Sequence, residues 1–289
     1  MCFRYKKLPH FLVLQAVLQL LLSASSCSVL EDRDLCPCTL ELDYGGSGQP
    51  RLNGGAVTRT NPTKGGCGQD RLKGGVVTRI NSTKGGEFHI ADTVRVPLWS
   101  VPVPRTKLSV VTVWPPEASS SDKDAVVRIP EGHDCPEVWM YSETMSTDCE
   151  NRSVEVSLHK NYSELTISVR NSSGDDFPYR MELRGNICGY DLYGNPLPGL
   201  FIAPVESSSR SLSGSAKVPR QVDNSLILDI ISEDDTHRAF AIGNYIDASG
   251  YDWTSPDLKD IEMEIDYSRS LLSFKIGPWQ KAVEFEVVI

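Results

Sequence analysis

The chain has 289 residues and a formal net charge of −9, with 40% hydrophobic and 23% charged residues. This composition is typical of a globular protein and excludes a largely disordered chain. An acidic surface offers no basic field to attract nucleic acid, so we expect no nucleic-acid partner. The length is enough for two domains of ordinary size.

The first segment has the layout of a secretory signal. Arg4, Lys6 and Lys7 precede an apolar run over residues 11–22, and small residues follow at 23–26. Charged, apolar and small regions in this order are removed after export. The apolar run has about a dozen residues, whereas a membrane span needs about twenty. We therefore predict that residues 1–26 are a signal peptide and not a transmembrane helix.

A cysteine stands directly after the small residues of this signal. Cys27 is followed by a short polar and charged spacer that ends at residue 35. The arrangement resembles the lipobox of bacterial lipoproteins, in which the cysteine receives acyl chains such as palmitate. Ala24 stands where a lipobox prefers leucine, and the alternative is a secreted protein with Cys27 in a disulfide. We predict lipidation of Cys27, with residues 27–35 as the lipidated tether.

The first strand is predicted immediately after the tether. Cys38, Leu40, Leu42 and Tyr44 alternate with polar residues, which gives one apolar face and one wet face. From residue 45 the chain becomes rich in Gly, Asn, Thr and Lys, and residues 48–86 contain two copies of a repeat of about twenty residues. Each copy has little apolar surface, so we predict a mobile duplicated loop over residues 45–87.

This duplicated loop contains four arginines that an arginine-specific protease would reach if they were exposed: Arg51, Arg59, Arg71 and Arg79. The alternative is a solvated loop in which the arginines have no role. Its glycines and lysines lack the order that a phosphate-binding loop needs. We therefore expect no nucleotide and no other small-molecule substrate.

Short alternating segments continue from the loop to the last residue. Residues 94–103 are apolar but broken by prolines, which favours an edge strand or a bulge, and residues 108–114 resemble a buried strand. Residues 125–129 and 138–141 flank a segment that suits a hairpin-like connection. No stretch after the signal has a helical period. The pattern predicts an all-β chain with two β-sandwich domains in tandem, over residues 36–146 and 147–289.

Six cysteines remain when Cys2 and Cys27 are set aside, and export makes disulfides possible. Cys36 or Cys38 and Cys135 each neighbour a predicted strand end, so we predict a bridge between one of the first two and Cys135. A zinc site formed by these residues and His133 is an alternative, but its spacing is not that of known zinc fingers. We predict no metal and no cofactor.

The final run of the chain is a candidate for partner contact. Val283, Phe285, Val287 and Ile289 alternate with acidic residues, which suits insertion of this strand into the groove of a neighbouring subunit by β-augmentation. The alternative is that this run is the last strand of the chain's own sheet. The sequence leaves both alternatives open.

Several segments, taken together and in order, resemble the FimB-type fimbrillin-anchoring lipoproteins of Bacteroides-like bacteria. They are residues 27–43, Ile129-Pro-Glu-Gly-His-Asp-Cys-Pro136, Val218-Pro-Arg-Gln221, residues 241–246, Ser249-Gly-Tyr-Asp-Trp253 and residues 265–267. The resemblance covers nearly the whole mature chain except the duplicated loop, which departs from the family pattern. It implies transthyretin-like β-sandwich domains, attachment to the outer membrane through lipid, and fimbrillin subunits as partners.

The resemblance also implies a mode of assembly. Fimbriae of this type polymerise by strand exchange after an arginine-specific cleavage removes an N-terminal strand from each subunit. An anchor is expected to keep its own N-terminal strand, here residues 38–44. Cleavage at the arginines of the duplicated loop would suit a stalk or tip subunit better than an anchor.

A rival interpretation is a surface lipoprotein that binds glycan or another ligand. Tyr251, Trp253 and Trp279 would form its aromatic platform, although packing in the core explains the same residues. Enzymatic motifs such as His-Glu-x-x-His and Gly-x-Ser-x-Gly are absent from the sequence. We therefore predict a protein that is not an enzyme.

Overall fold

The computed structural model describes residues 36–45, 74–83, 88–170, 180–207, 213–232, 235, 237–266, 271–276 and 283–286. The predicted signal peptide, Cys27 and the tether lie outside the described residues, as do Arg51, Arg59 and Arg71. The predictions about them therefore stay predictions. Within the described ranges, no helix is long and apolar enough to cross a membrane.

The N-terminal part of the chain forms two sheets. The first sheet has the strand order β4-β1-β8 and the second has the order β3-β2-β5-β7-β9. The strands are β1 (Cys38–Asp43), β2 (Val76–Ser82), β3 (His89–Val94), β4 (Leu98–Val103), β5 (Lys107–Trp114), β7 (Trp139–Ser146), β8 (Asn151–Glu155) and β9 (His159–Lys160). Strand β4 contains Pro102 and is flanked by Pro97 and Pro104. It lies at one end of the three-stranded order, as predicted for an edge strand.

The C-terminal part forms two further sheets. One has the order β13-β14-β10-β17-β18-β19, and the other has the order β12-β11-β15-β16 with β6 paired to β11. The strands are β6 (Ala125–Arg128), β10 (Tyr162–Arg170), β11 (Arg180–Asp191), β12 (Pro196–Pro204), β13 (Glu206–Ser207), β14 (Ser213–Pro219), β15 (Ile227–Ile231), β16 (His237–Phe240), β17 (Ile261–Asp266), β18 (Leu271–Ile276) and β19 (Val283–Glu286). The prediction of an all-β fold is confirmed.

One short α-helix was not predicted. Helix α1 (Ile242–Ala248) follows β16, and its buried residues are Ile242, Gly243 and Ile246. Two turns are too few to produce a recognisable helical period, and the apolar residues at its start resemble the end of a strand. Gly243 lies against the Asn224 backbone, since an added Cβ would come within 2.2 Å of the Asn224 carbonyl oxygen. The helix therefore packs closely on the segment before β15.

The duplicated segment is not a loop throughout, which corrects the prediction for residues 45–87. Its second copy contains β2, which pairs with β3 on one side and with β5 on the other. Arg79 on this strand is only 7% exposed, so it is not a protease-accessible loop residue. The strand was missed because several of its buried side chains are polar and are paired with other polar groups.

The guanidinium of Arg79 is largely, but not fully, hydrogen-bonded: Nη1 and Nη2 have partners, whereas the buried Nε has none. Its Nη1 donates to the carbonyl oxygens of Asp122 (3.1 Å) and Ala125 (3.2 Å), and its Nη2 donates to the carbonyl oxygen of Ser120. Burial lowers the pKa of the guanidinium from its ordinary value, while the charge of Asp122 opposes this shift. The arginine thus fixes the segment that leads into β6.

Strand β6 crosses from the N-terminal part of the sequence into a C-terminal sheet. It precedes the predicted boundary at 146/147 but pairs with β11, whereas β8 follows that boundary but pairs with β1. The predicted hairpin between residues 125–129 and 138–141 is wrong, because β7 pairs with β5 and β9 instead of β6. Sequence order and sheet membership therefore differ at this boundary.

Two hydrophobic clusters form the described core. One packs β1 against β2 and β5, and it includes Leu40, Ile80 and Leu108. The other contains the C-terminal strands together with Val111 and Val113 of β5. Alternate side chains of β5 thus enter different clusters, which explains the unbroken apolar run that predicted a buried strand. The sheet that contains β5 is covered on both faces.

We predict that Arg79→Met destabilises the fold by about 3 kcal/mol, because the carbonyl groups that Arg79 contacts lose their charged donor. Urea unfolding measures the loss. Arg152→Met is the matched control, since Arg152 is exposed on β8, and it should change stability by at most about 0.5 kcal/mol. Equal effects of the two substitutions would contradict the structural role of Arg79.

We also predict that Gly189→Ala destabilises the pairing of β6 with β11. Gly189 has φ +147°, and an added Cβ would lie 2.1 Å from the carbonyl oxygen of Val127 on β6. The expected loss is about 3 kcal/mol or more, combining backbone strain with displacement of β6. Gly250→Ala is the control, because Gly250 has φ +79° with nothing within 4 Å of the added Cβ. It should cost only about 1–2 kcal/mol of strain in the same urea titration.

Candidate functional site

Strand β1 occupies the middle of its sheet. It pairs antiparallel with β4 and parallel with β8, so both of its hydrogen-bonding edges are used. Cys38, Leu40 and Leu42 are fully buried, while the side chains between them are half-buried. The sequence predicted this alternation, and the structure confirms the strand. Taking β1 away would leave an apolar groove between β4 and β8, with two unpaired strand edges.

The end of β1 is joined to the facing sheet by buried hydroxyl groups. The Tyr44 hydroxyl lies 2.8 Å from Thr78 Oγ1, which lies 3.0 Å from Thr112 Oγ1. Burial raises the pKa of Tyr44 to about 12, although the hydrogen bond with Thr78 acts in the opposite direction. A neutral hydroxyl chain therefore links β1 to β2 and β5. Sequence reasoning missed this chain, because the pattern shows Thr78 only as part of a polar loop.

The cysteines are placed differently from the prediction. Cys38 and Cys135 are both buried, but they belong to different hydrophobic clusters. The structure therefore does not bring Cys38 to Cys135, and it joins none of the described cysteines in a disulfide. The neighbour of Cys38 is Cys149, with the two Sγ atoms 3.8 Å apart. In the described part of the chain, no three His, Cys, Asp or Glu residues are grouped to hold a metal ion.

The final described strand lies in the chain's own sheet. Strand β19 pairs antiparallel with β18, with Val283 opposite Phe274 and Phe285 opposite Leu272. It stands at the end of the strand order of that sheet. Val287 and Ile289 lie outside the described residues. Of the two alternatives for this run, the structure has the strand in its own sheet, and donation to a partner stays a prediction.

Arg220 organises the loop that follows helix α1. Its Nη1 donates to the carbonyl oxygens of Trp253 and Ser255, the latter at 2.8 Å. Its Nη2 donates to the Pro256 carbonyl oxygen at 3.2 Å and to Asn161 Oδ1 at 3.1 Å. The sequence motif at residues 218–221 contains this arginine, but sequence alone gave no role for it. The structure shows that one guanidinium positions the backbone of residues 253–256.

A cleft of about 600 Å³ opens beside this loop. Its lining combines polar groups with apolar side chains: Pro196, Arg220, Gln221, Val222, Asp223, Asn224, Asp247, Trp253 and Thr254. Val222 is 65% exposed at the cleft. Hydrogen bonds from Ser225 and Asn186 hold the pKa of Asp223 below its ordinary value, so its carboxylate is ionised at neutral pH.

The aromatic residues of the rival interpretation have different environments. Tyr251 is only 8% exposed, and its hydroxyl donates to the carbonyl oxygen of Lys259 at 2.6 Å. It therefore packs in the core and does not form an open platform. Trp253 is half-buried at the cleft, with its ring centroid 4.6 Å from that of Tyr251 in an edge arrangement. Trp279 lies outside the described residues.

No family model and no curated protein matches the chain. Several solved structures match its fold. The fimbrial anchor protein Mfa2 from Porphyromonas gingivalis has a TM-score of 0.54 at 11% identity, covering 84% of this chain and 98% of that chain. A Bacteroides thetaiotaomicron protein, provisionally described as polysaccharide binding, has a TM-score of 0.56 at 10% identity, covering 85% and 98%.

A Bacteroides ovatus protein that is provisionally described as an adhesin also matches, with a TM-score of 0.52 at 10% identity, covering 86% of this chain and 95% of that chain. At such low identity these matches concern the fold. The chain therefore shares its fold with a fimbrial anchor protein and with Bacteroides proteins provisionally described as an adhesin and as polysaccharide binding, in agreement with the family resemblance of the sequence.

Proposed function

We propose that the protein is a non-enzymatic, lipid-anchored subunit that holds a fimbrillin polymer at the surface of the outer membrane. The observation that carries this proposal is the position of β1, the strand that directly follows the predicted tether. It is paired on both edges and fully buried on one face. A lipid on Cys27 would thus continue through a short spacer into the middle of a sheet.

The central position of β1 suits a fixed end of a polymer. A subunit that accepts a partner's strand must first open a groove, whereas β4 and β8 here already enclose a strand of the same chain. The polymer would then attach elsewhere on the subunit. Strand β19, at the end of its sheet, is our candidate for contact with fimbrillin by β-augmentation. The fold shared with Mfa2, which is a fimbrial anchor protein, supports the proposal.

Cleavage after Arg51, Arg59 or Arg71 would cut the chain between β1 and β2. The body would then be held to the lipid through the pairing of β1 with β4 and β8, and no longer through a continuous backbone. Retention of an uncut chain is therefore part of the anchoring role. Arg79 does not belong to this set, because it is buried within β2.

We predict that Cys27→Ser releases both the protein and its fimbriae into the medium, because the acyl chains supply the membrane attachment. Metabolic labelling with palmitate measures the loss of lipid, and fractionation of cells from the native host measures release. The fraction of the protein found in the medium should rise about tenfold, as expected for loss of stable anchoring. Cys2→Ser is the matched control and should keep labelling and anchoring. Membrane-held fimbriae in the Cys27→Ser strain would contradict the proposal, as would a lipidated chain cut after Arg51, Arg59 or Arg71.

A second candidate function, glycan binding, is favoured by the cleft beside Arg220. The cleft brings a half-buried Trp253 together with the ionised Asp223 and the amide of Asn224. An aromatic face with nearby hydrogen-bonding groups is a suitable surface for a sugar ring. The provisional description of one structural neighbour as polysaccharide binding agrees with this candidate.

For the second candidate we predict that glycan-array binding falls at least about tenfold in Trp253→Ala, which corresponds to a loss of about 1.4 kcal/mol. Tyr193→Ala provides the control, because Tyr193 is an exposed aromatic residue that does not line the cleft. Binding that survives Trp253→Ala, or an array without a hit for the unaltered chain, would exclude the cleft as a glycan site.

A further inference from the structure

Two thiols meet at the start of β1. Cys38 is fully buried and its Sγ lies 3.8 Å from Sγ of the half-buried Cys149, which is 111 positions further along the chain. A disulfide has its sulfur atoms about 2.05 Å apart, so the atoms need to approach by somewhat less than 2 Å. Rotation about the side-chain bonds supplies movements of this size.

The backbone around both thiols is held in place. The amide of Thr39 donates to the carbonyl oxygen of Glu150 at 2.8 Å, and Thr39 is opposite Asn151 in the parallel pairing of β1 with β8. Thr147, before Cys149, donates through its hydroxyl to the carbonyl oxygen of Pro104 at 2.7 Å. The two cysteines are therefore neighbours on fixed segments and do not meet by chance movement of a loop.

We propose that Cys38 and Cys149 form a disulfide that fastens β1 to the turn before β8. The role of this disulfide rests on the proposed anchoring function: a covalent link at this point prevents β1 from leaving its sheet for strand exchange. Export to an oxidising compartment, which the predicted signal implies, is the setting in which such bonds form.

The oxidant is a disulfide, either that of an exported thiol–disulfide oxidoreductase or oxidised glutathione in the test tube. The more exposed Cys149 attacks it as a thiolate, forming a mixed disulfide and releasing one thiol of the oxidant. Cys38 then loses its proton and attacks the Cys149 sulfur, releasing the second thiol. Two protein thiols are oxidised and one oxidant disulfide is reduced to two thiols.

The order of attack follows from the environments of the two thiols. Burial raises the pKa of Cys38 to about 11, and the neighbouring Cys149 acts in the same direction. Cys38 is therefore a neutral thiol at physiological pH and a poor first nucleophile. It is suited to the second, intramolecular step, in which the high local concentration of its partner compensates for low thiolate content.

The bond is tested on the full lipoprotein, extracted in detergent from cells whose free thiols are first blocked with N-ethylmaleimide. Peptide mapping without reductant should recover a peptide pair joined through Cys38 and Cys149. The proposal would be overturned if Cys38 and Cys149 were unlinked in the protein blocked in cells and were also unlinked in a second, unblocked sample after treatment with oxidised glutathione. A pair joined through Cys36 and Cys149 would overturn it as well.

The hold on β1 is tested by hydrogen–deuterium exchange with Cys149→Ser and the control Cys36→Ser. The amides of β1 should exchange at least tenfold faster in Cys149→Ser than in the oxidised chain, and its unfolding midpoint should be roughly 10 °C lower. The Cys36→Ser variant should match the unaltered protein. Equal exchange rates of the β1 amides in the unaltered protein and both variants would overturn the claim that the disulfide restrains β1.

These readouts are independent of fimbriae. A linked peptide pair in a strain that sheds its polymer supports the bond while contradicting the anchoring function. Free thiols in a strain that retains its polymer overturn the bond and leave the anchoring function standing.

Discussion

The pairing of β1 on both edges is the constraint on which the N-terminal part of the structure depends. Its three buried side chains belong to one cluster, and the hydroxyl of Tyr44 at its end is hydrogen-bonded to a hydroxyl group on β2, which is hydrogen-bonded to one on β5. Without β1 the strands β4 and β8 would have no common neighbour in their sheet. The same strand is thus part of the core and the continuation of the predicted tether.

A second constraint is the sheet that contains β5, because both of its faces are covered. Leu108 and Val110 enter the cluster of β1, while Val111 and Val113 enter the cluster of the C-terminal strands. Strand β6 strengthens this link, since it follows β5 in sequence but pairs with β11. The two clusters are therefore joined through the two faces of one strand, and a disturbance of β5 would reach both.

Alternation of apolar and polar residues was enough to find β1, and an unbroken apolar run was enough to find β5. The same reasoning failed for β2, because Arg79 and Thr78 are buried but hydrogen-bonded, and a polar strand interior has no apolar period. Helix α1 was missed because it has only seven residues. The pairing of β6 with β11 and the contact of Cys38 with Cys149 are long-range features, which no local pattern contains.

The approximate location of the candidate site was therefore accessible from the sequence, whereas its partners were not. The motif around Arg220 was recognised in the sequence, yet its role depends on carbonyl groups more than thirty positions away. The transthyretin-like assignment came from the family resemblance and stays a prediction, whereas the all-β fold is confirmed. Whether the sheets count as two domains in tandem stays a prediction.

Under the proposed anchoring function, the parallel pairing of β1 with β8 has a mechanical consequence. A pull from the membrane would act on the N-terminal end of β1, and a pull from a polymer on the C-terminal sheets would act on the C-terminal end of β8. Parallel strands pulled from opposite ends are loaded in shear, so the five residue pairs between Thr39↔Asn151 and Asp43↔Glu155 resist together. An antiparallel partner in the same place would open one pair at a time. The direction of β8 thus decides whether its non-covalent pairing with β1 is loaded in shear.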